Sequence, residues 1–164
     1  MNQRHNSIVY LSTYPPRECG IATFTHDLAT AFNKLYNPAT KVNVVALDEN
    51  HTTHYNYPSA IFSSIAADDL SNYVTLAERI NKDRAIKLVH VQHEFGIFGG
   101  EWGNYLIPFL QTVKKPVAIT FHSVLPHPED HLKKTVELIG KHARAIIVMN
   151  NLSKTIPADN GICF

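Results

Sequence analysis

The sequence predicts an α/β fold in which helices cover both faces of a mostly parallel sheet. Short apolar runs of strand length alternate with segments of helical periodicity along almost the whole chain. Several of these runs are nearly continuous in apolar residues, which is typical of strands that are buried on both faces. The alternation of strands and helices indicates βαβ units with right-handed crossovers.

The first third of the chain predicts a strand, a helix and a second strand. Residues 7–14 form the first strand, which ends at Pro15 and Pro16 because proline lacks the N–H group that a sheet needs. A turn at 17–20 leads into the helix, and residues 42–47 form the second strand. The helix face that we expect to be buried consists of Ile21, Phe24, Leu28, Ala31, Phe32 and Leu35.

The middle of the chain predicts an exposed loop, a helix and a buried strand. Residues 48–58 are polar and form the loop, and residues 61–62 indicate a short strand. Asp68 and Asp69 suit the positive N-terminal end of the helix that follows. Residues 86–93 form the buried strand. The apolar face of the helix consists of Leu70, Tyr73, Val74, Ala77 and Ile80.

The last third predicts two more helices and two more strands. Residues 101–113 are helical with a kink or restart at Pro108, and residues 117–121 form a strand. A helix begins near Pro128 and ends near residue 142, before a strand at 145–149. The inward residues of that helix are Leu132, Val136 and Ile139.

Length and composition indicate a single globular domain. The chain has 164 residues, of which 45% are hydrophobic and 18% charged, with a net charge of +1. This balance gives no indication of a nucleic-acid partner, and no apolar run has the length of a membrane span. Cys19 and Cys163 form no disulfide framework, so we expect a cytoplasmic protein. The pattern weakens after Asn150, so we expect a domain at 1–150 and a truncated tail at 151–164.

Polar residues follow most of the predicted strands. Because the carboxyl ends of parallel strands meet at one edge of the sheet, these residues should converge there, where open α/β sheets bind ligands. The segment 89–102 is the richest, since glycines follow its strand and allow close approach of a ligand to the backbone. Trp102 is either a platform for a sugar or a residue packed on the sheet. The converging residues are Gly20, His93, Glu94, His122 and Asn150.

The histidines raise the question of a metal site. His90 and His93 are an odd number of positions apart, so their side chains point to opposite faces of the strand. We therefore expect His90 to be a hydrogen-bonded core residue, His93 and His122 to approach each other across neighbouring strands, and no metal to bind. The pool of possible ligands is His90, His93, Glu94, His122, His127 and His131.

Two further motifs leave alternatives open. Gly20 precedes a helix and could place backbone N–H groups at a phosphate or sugar hydroxyl, although taken alone the motif favours a tight turn that needs glycine. The dinucleotide fingerprint needs three spaced glycines, so NAD or FAD is not indicated. A nucleophilic role for Cys19 ranks below a role as a small turn residue. His122 could donate to a developing oxyanion, accept from a hydroxyl, or only cap its strand.

Three runs of this sequence resemble one enzyme family. They are STYPP with CGIATF at 12–24, HEFGIFGG at 93–100 and TFHS at 120–123, and ARAIIV at 143–148 fits as well. They resemble the N-terminal, acceptor-side domain of family-four, retaining glycosyltransferases. These enzymes have the GT-B fold, in which two Rossmann-like domains face a cleft.

The resemblance implies roles for individual residues. His122 would lie beside the donor sugar as the catalytic residue, and Gly20 would lie near the donor diphosphate and the acceptor. The acceptor pocket would be shaped by His93, Glu94, Gly99 and Gly100. The substrate-binding residues would be Cys19, Gly20, His93, Glu94, Gly99, Gly100, Trp102 and Ser123.

The resemblance also implies a reaction and its partners. A hexosyl group would move from a nucleotide sugar to a carbohydrate or glycolipid hydroxyl with retention, and no cofactor would be needed. The missing C-terminal GT-B domain would carry the paired glutamates and most nucleotide contacts, so we expect this chain to be inactive alone. Two alternatives stay open: a metal-dependent hydrolase using His93, Glu94 and His122, and a non-catalytic sugar-binding fragment.

Overall fold

The computed structural model describes residues 5–59, 61–151 and 153, so Cys163 and most of the predicted tail at 151–164 lie outside the described residues. Within the described residues the chain alternates strands and helices, as predicted. The strands are β1 (Asn6–Ser12), β2 (Thr40–Asp48), β3 (Ser63–Ala66), β4 (Ile86–His93), β5 (Val117–Phe121) and β6 (Ala145–Val148). The helices are α1 (Gly20–Tyr36), α2 (Leu70–Lys82), α3 (Leu106–Thr112) and α4 (Asp130–Lys141), with a 3₁₀ turn at Glu101–Gly103.

The six strands form one sheet in the order β3-β2-β1-β4-β5-β6, and every neighbouring pair is parallel. This confirms the predicted α/β class. After β1 the chain adds β2 and β3 on one side of the sheet, and after β4 it adds β5 and β6 on the other side. The loops that leave these two strands therefore separate, which opens a crevice at their carboxyl ends.

The helices cover both faces of the sheet. On one face, residues of α2, α3 and α4 join Val9 and Leu11 of β1 in a large apolar core. On the other face, α1 packs against Tyr10 and the first half of β2 in a smaller cluster. Consecutive residues of β1 thus serve opposite cores, as the alternation of side chains along a strand requires.

The buried face of α1 differs from the predicted one. The helix buries Ala22, Thr25 and Ala29, whereas Leu35 is 75% exposed. Small side chains let α1 approach the sheet closely, and the Thr25 hydroxyl lies 2.7 Å from the hydroxyl of Ser12 in β1. The larger apolar residues that the periodicity selected flank this contact instead of facing the sheet.

Two predicted boundaries at the edge of the sheet were also wrong. The short strand is β3, which begins directly after the predicted pair at 61–62, although Phe62 N–H already donates to the Val44 carbonyl as the chain enters the sheet. Asp48 is the last residue of β2 and is only 7% exposed. Its carboxylate accepts a hydrogen bond of 2.7 Å from the Tyr57 hydroxyl, which explains how a charged residue can be buried there.

The helix predicted at 101–113 is interrupted, but not at Pro108. The break follows Trp102 and Gly103, whose φ angles of 54° and 80° are left-handed and end the 3₁₀ turn. Pro108 is the third residue of α3, where the missing N–H would have no partner within the helix in any case. The kink therefore comes from Trp102 and Gly103, and the proline lies in the first turn of the new helix. None of the helices in the described residues is long and apolar enough to cross a membrane.

Candidate functional site

The polar residues that follow the strands gather at the carboxyl edge of the sheet. His93 ends β4 and Glu94 follows it, while His122 and Ser123 follow β5, the neighbouring strand. The backbone N–H of His122 donates to the His93 carbonyl at 3.0 Å, so the two strand ends are directly joined. The crevice between β1 and β4 lies beside them, which makes this edge the candidate site.

Glu94 is held by two hydrogen bonds. The backbone N–H of Phe95 donates to Oε1 at 3.0 Å, and the Ser123 hydroxyl donates to Oε2 at 2.6 Å. An ionised carboxylate has about four acceptor positions, so two stay available for further donors. Ser123 therefore orients a carboxylate that can still bind hydroxyl groups of a ligand.

His122 lies on the α1 side of the sheet. Its Nε2 atom is 3.0 Å from Oε1 of Gln92, and the ring meets Phe24 of α1 edge-on with 4.8 Å between centroids. Burial lowers the pKa of His122, and the nearby Glu94 carboxylate opposes this effect only in part. The imidazole is therefore neutral at pH 7. The sequence did not single out Gln92, although it follows His90 by two positions and so shares its face of the strand.

His93 lies on the opposite side of the sheet, in an aromatic cage. Its ring stacks on Phe98 at 5.6 Å between centroids and contacts Phe95 and Phe121. The residue is 1% exposed, and neither ring nitrogen has a hydrogen-bond partner in the part of the chain that the structure describes. Burial lowers its pKa to about 3. Because Phe98 lies in the loop at 96–100, the glycine loop, His93 packs against this loop and supports it.

These positions bear on the proposed metal ligands. The side chains of His90 and His93 point to opposite faces, as predicted, and His90 Nε2 lies 2.8 Å from the Thr120 hydroxyl. His93 and His122 are adjacent through their backbones, but their rings contact different cores. Among the described residues, no group of three His, Cys, Asp or Glu side chains is arranged to hold a metal ion.

A cavity of about 210 Å³ lies beside the glycine loop. Its walls come from the loops after the first four strands, so it occupies the crevice at the strand ends. The side chain of Arg17 lines it and is fixed by donating to the Leu47 carbonyl at 3.0 Å, with Glu49 at 3.7 Å from its Nε. Asp68 contributes a further carboxylate, and Gly99 and Gly100 contribute backbone. The sequence indicated only the glycines, because the charged residues converge from separate loops.

Gly99 and Gly100 have no room for a side chain. A Cβ atom on Gly99 would overlap the Ala67 carbonyl, and one on Gly100 would overlap the side chains of Asn104 and Tyr105. Gly100 also has a φ of 78°, which L-residues seldom adopt. The loop can therefore lie close against the start of α2 only with glycine at these positions.

We expect Gly99→Ala to lower the free energy of unfolding by about 1–3 kcal/mol, since overpacking of this kind moves backbone or side chains. Gly96→Ala is the matched control in the same loop. A Cβ atom at Gly96 would meet nothing within 4 Å beyond its chain neighbours, and the φ angle of Gly96 is not left-handed. Urea unfolding of the two variants measures the difference. Equal stability of both would contradict the close approach of Gly99 to Ala67.

Cys19 and Trp102 have structural roles at this edge. Cys19 caps α1, because its sulfur accepts from the Ala22 N–H at 3.3 Å and lies 3.1 Å from the Thr13 hydroxyl. This geometry suits the small turn residue that the sequence favoured. The indole N–H of Trp102 donates to Glu129 at 2.8 Å, and its ring packs edge-on against Phe95. A sugar platform at Trp102 stays a prediction.

Solved structures with a similar fold include two of an alpha-glucosyltransferase. In one, the enzyme is in complex with UDP and a 13-mer DNA containing a central A:G mismatch; the TM-score is 0.59 at 15% identity, over 88% of this chain and 37% of that chain. In the other, the complex contains UDP and a 13-mer DNA with an HMU base; the TM-score is 0.57 at 16% identity, over 88% and 36%. This chain thus has the Rossmann-like fold of a part of these glucosyltransferases and spans little more than a third of their length. No protein-family model and no curated protein sequence matches it.

Proposed function

We propose that this chain is the N-terminal, acceptor-side domain of a family-four, retaining glycosyltransferase of GT-B fold. The observation that carries the proposal is the arrangement at the β1–β4 crevice. There a neutral imidazole, an oriented carboxylate and a glycine-walled cavity with charged residues all face the same edge of the sheet. The likeness in fold to glucosyltransferase structures supports the proposal.

The cavity suits one sugar unit of an acceptor. Pockets for drug-sized ligands have about 300–1,000 Å³, so a cavity of about 210 Å³ accommodates only part of a larger molecule. Arg17 supplies donors, and Glu49 and Asp68 supply acceptors, which together match the hydroxyl groups of a carbohydrate. Glu94 precedes the loop that lines the cavity, and in this proposal its carboxylate, which Ser123 holds, binds an acceptor hydroxyl. The acceptor is thus a carbohydrate or the sugar of a glycolipid.

The start of α1 suits the diphosphate of a nucleotide-sugar donor. Gly20 is exposed and has open space around it, so an anion can approach the backbone N–H groups of the first turn. The first turn carries no acidic residue that would compete with an anion for the positive helix end. The donor therefore spans from Gly20 to His122, with its sugar beside the imidazole.

The reaction in this proposal moves the sugar with retention of configuration. The acceptor hydroxyl forms a bond to the anomeric carbon as the bond to the diphosphate breaks, and the leaving phosphate takes the acceptor proton. This chain orients the acceptor through Glu94 and the donor sugar through His122, and it needs no cofactor. A metal-dependent hydrolase is not favoured, since the His93 ring lies apart from those of its proposed partners.

The acceptor in this proposal is not DNA, although the matched glucosyltransferase structures contain it. Proteins that bind nucleic acid make many phosphate contacts with Lys and Arg. This chain has 15 Lys and Arg residues against 14 Asp and Glu residues. Its cavity also carries two carboxylates, which would repel phosphate groups.

Transfer should require a second, donor-binding domain. A single wall leaves the pocket open to water, whereas transfer needs both substrates held in reacting geometry. We expect the 164-residue chain alone to show no transfer above background with a panel of nucleotide sugars, and transfer to appear once a donor-binding GT-B domain is supplied. Radiolabelled sugar incorporation measures this.

Two results would contradict parts of the proposal. Robust transfer by the chain alone would remove the need for a second domain. Sugar binding without transfer, even with the second domain present, would favour the non-catalytic sugar-binding alternative.

A further inference from the structure

A chain of hydrogen bonds connects four side chains beneath the candidate site. The Thr120 hydroxyl lies 2.8 Å from Nε2 of His90, which lies 3.2 Å from the amide nitrogen of Gln92. The amide oxygen of Gln92 lies 3.0 Å from Nε2 of His122. Gln92 is fully buried and Thr120 is 3% exposed, so water does not compete for these contacts.

The chemistry of the amide sets the direction of each bond. In this orientation of the amide its oxygen faces His122 and can only accept, so Nε2 of His122 carries a proton and donates it. Its nitrogen can only donate, so Nε2 of His90 must be the bare, accepting nitrogen. The Thr120 hydroxyl also donates toward this atom, so the two donors share its single lone pair, and the proton of His90 lies on Nδ1.

Both imidazoles are neutral at pH 7. Burial lowers the pKa of His90 to about 4, and it also lowers that of His122. The charged group that faces His122 is Glu94, whose carboxylate opposes this effect, while His90 and His93 are themselves uncharged near neutrality. A neutral His122 with a proton on Nε2 has a bare lone pair on Nδ1.

We propose that Gln92 is a positioning residue that fixes His122 in the Nε2–H tautomer, so that Nδ1 accepts a hydrogen bond from a substrate hydroxyl. The contact with Gln92 occupies Nε2, and Phe24 meets the ring edge-on from the side, so Nδ1 is the nitrogen that this arrangement assigns to a ligand. Of the two roles open to a neutral imidazole, acceptance from a hydroxyl is thereby selected over donation to an oxyanion. The assignment of the tautomer is independent of the proposed function, whereas the contact with a substrate hydroxyl rests on it.

Nitrogen NMR of the chain with ¹⁵N-labelled histidine tests the tautomer without any substrate. At neutral pH we expect His122 to show a protonated Nε2 and a bare Nδ1. A dominant Nδ1–H tautomer, an equal mixture of the two tautomers, or an imidazolium would overturn the proposal.

Three variants separate positioning from general structure. Gln92→Leu should allow the Nδ1–H tautomer of His122 to become populated beside the Nε2–H tautomer. Gln92→Glu keeps an accepting oxygen, so it should restore the Nε2–H form and raise the pKa of His122 through the added negative charge. Thr120→Val is the control, because it removes only the far end of the chain and should alter His90 but not His122. An unchanged His122 in Gln92→Leu, or an equal change in Thr120→Val, would contradict the role of Gln92.

Kinetics of the enzyme completed with a donor-binding domain test the hydroxyl contact. A wrong imidazole tautomer costs about 10⁴ in kcat where the imidazole transfers a proton. Here it only orients a hydroxyl, so Gln92→Leu should lower kcat by roughly tenfold to a hundredfold, with a smaller change in KM and with partial recovery in Gln92→Glu. If Gln92→Leu lost the fixed tautomer of His122 but kept the wild-type kcat, the proposed contact between His122 and a substrate hydroxyl would be overturned. Absence of transfer in the wild type, with the tautomer as expected, would instead count against the proposed function alone.

Discussion

Lowering the pH from 7 to 4.5 is expected to destabilise this protein steeply, through His93 and His90 together. The folded pKa of His93 is about 3 because its ring is buried among aromatic side chains, whereas an unfolded histidine titrates near 6.5. Below pH 6.5 the unfolded chain therefore binds a proton that the folded chain does not. The free energy of unfolding then falls by about 1.4 kcal/mol for each pH unit and each such histidine.

The pH window follows from the two buried histidines. Their stabilising contribution is fully present above pH 6.5 and is lost as the pH falls, down to about 4 for His90 and about 3 for His93. Urea unfolding at a series of pH values measures the slope. His93→Leu should reduce it by about 1.4 kcal/mol per pH unit.

The same variant makes a prediction at neutral pH. Removal of two buried nitrogens that lack partners among the described residues should leave the stability at pH 7 unchanged or higher. His127→Leu is the control, because it makes the same replacement at an exposed histidine. A wild-type slope in His93→Leu would mean that the imidazole is not held neutral by burial.

Replacement of His122 by alanine should lower the turnover of the completed enzyme by about a hundredfold. The imidazole sits directly after β5 and is held by Gln92 and Phe24, so it can fix one hydroxyl of the donor sugar in place. Loss of such a contact allows the sugar to shift, and a misplacement of about 1 Å can cost about a hundredfold in rate. Steady-state kinetics with a saturating nucleotide sugar measures kcat.

The His122 variant should still fold, because the ring is only partly buried and its removal opens the Gln92 amide to water. Comparable urea midpoints for the variant and the wild type check this. His127→Ala, which changes an exposed histidine of the same loop, should retain wild-type turnover. Wild-type turnover in His122→Ala would reduce His122 to a cap of its strand.

The strands and most of the helices could be predicted because each depends on a local pattern. β4 occupies 86–93 as predicted, and the inward residues of α4 are buried as predicted. The face of α1 could not be predicted, because it depends on how closely the helix approaches the sheet. Small residues such as Ala22 and Ala29 decide that distance, and their apolar signal is weaker than that of Leu35.

The candidate site was only partly predictable for a related reason. The alternation of side chains correctly placed His90 and His93 on opposite faces of β4, but which face stays open depends on the helices and loops that cover it. Gln92 carries no sequence signal by itself, since its role comes from two histidines that approach from different strands. Arg17 likewise meets its partners only after three loops have converged.

The most direct measurement is NMR observation of the anomeric product formed from an α-linked nucleotide sugar. The reaction would contain this chain and a donor-binding GT-B domain, with each omitted in turn. We expect the first product formed to be α-linked, and we expect it only when this chain is present. A β-linked first product, or equal transfer when the chain is omitted, would contradict its assignment as half of a retaining glycosyltransferase.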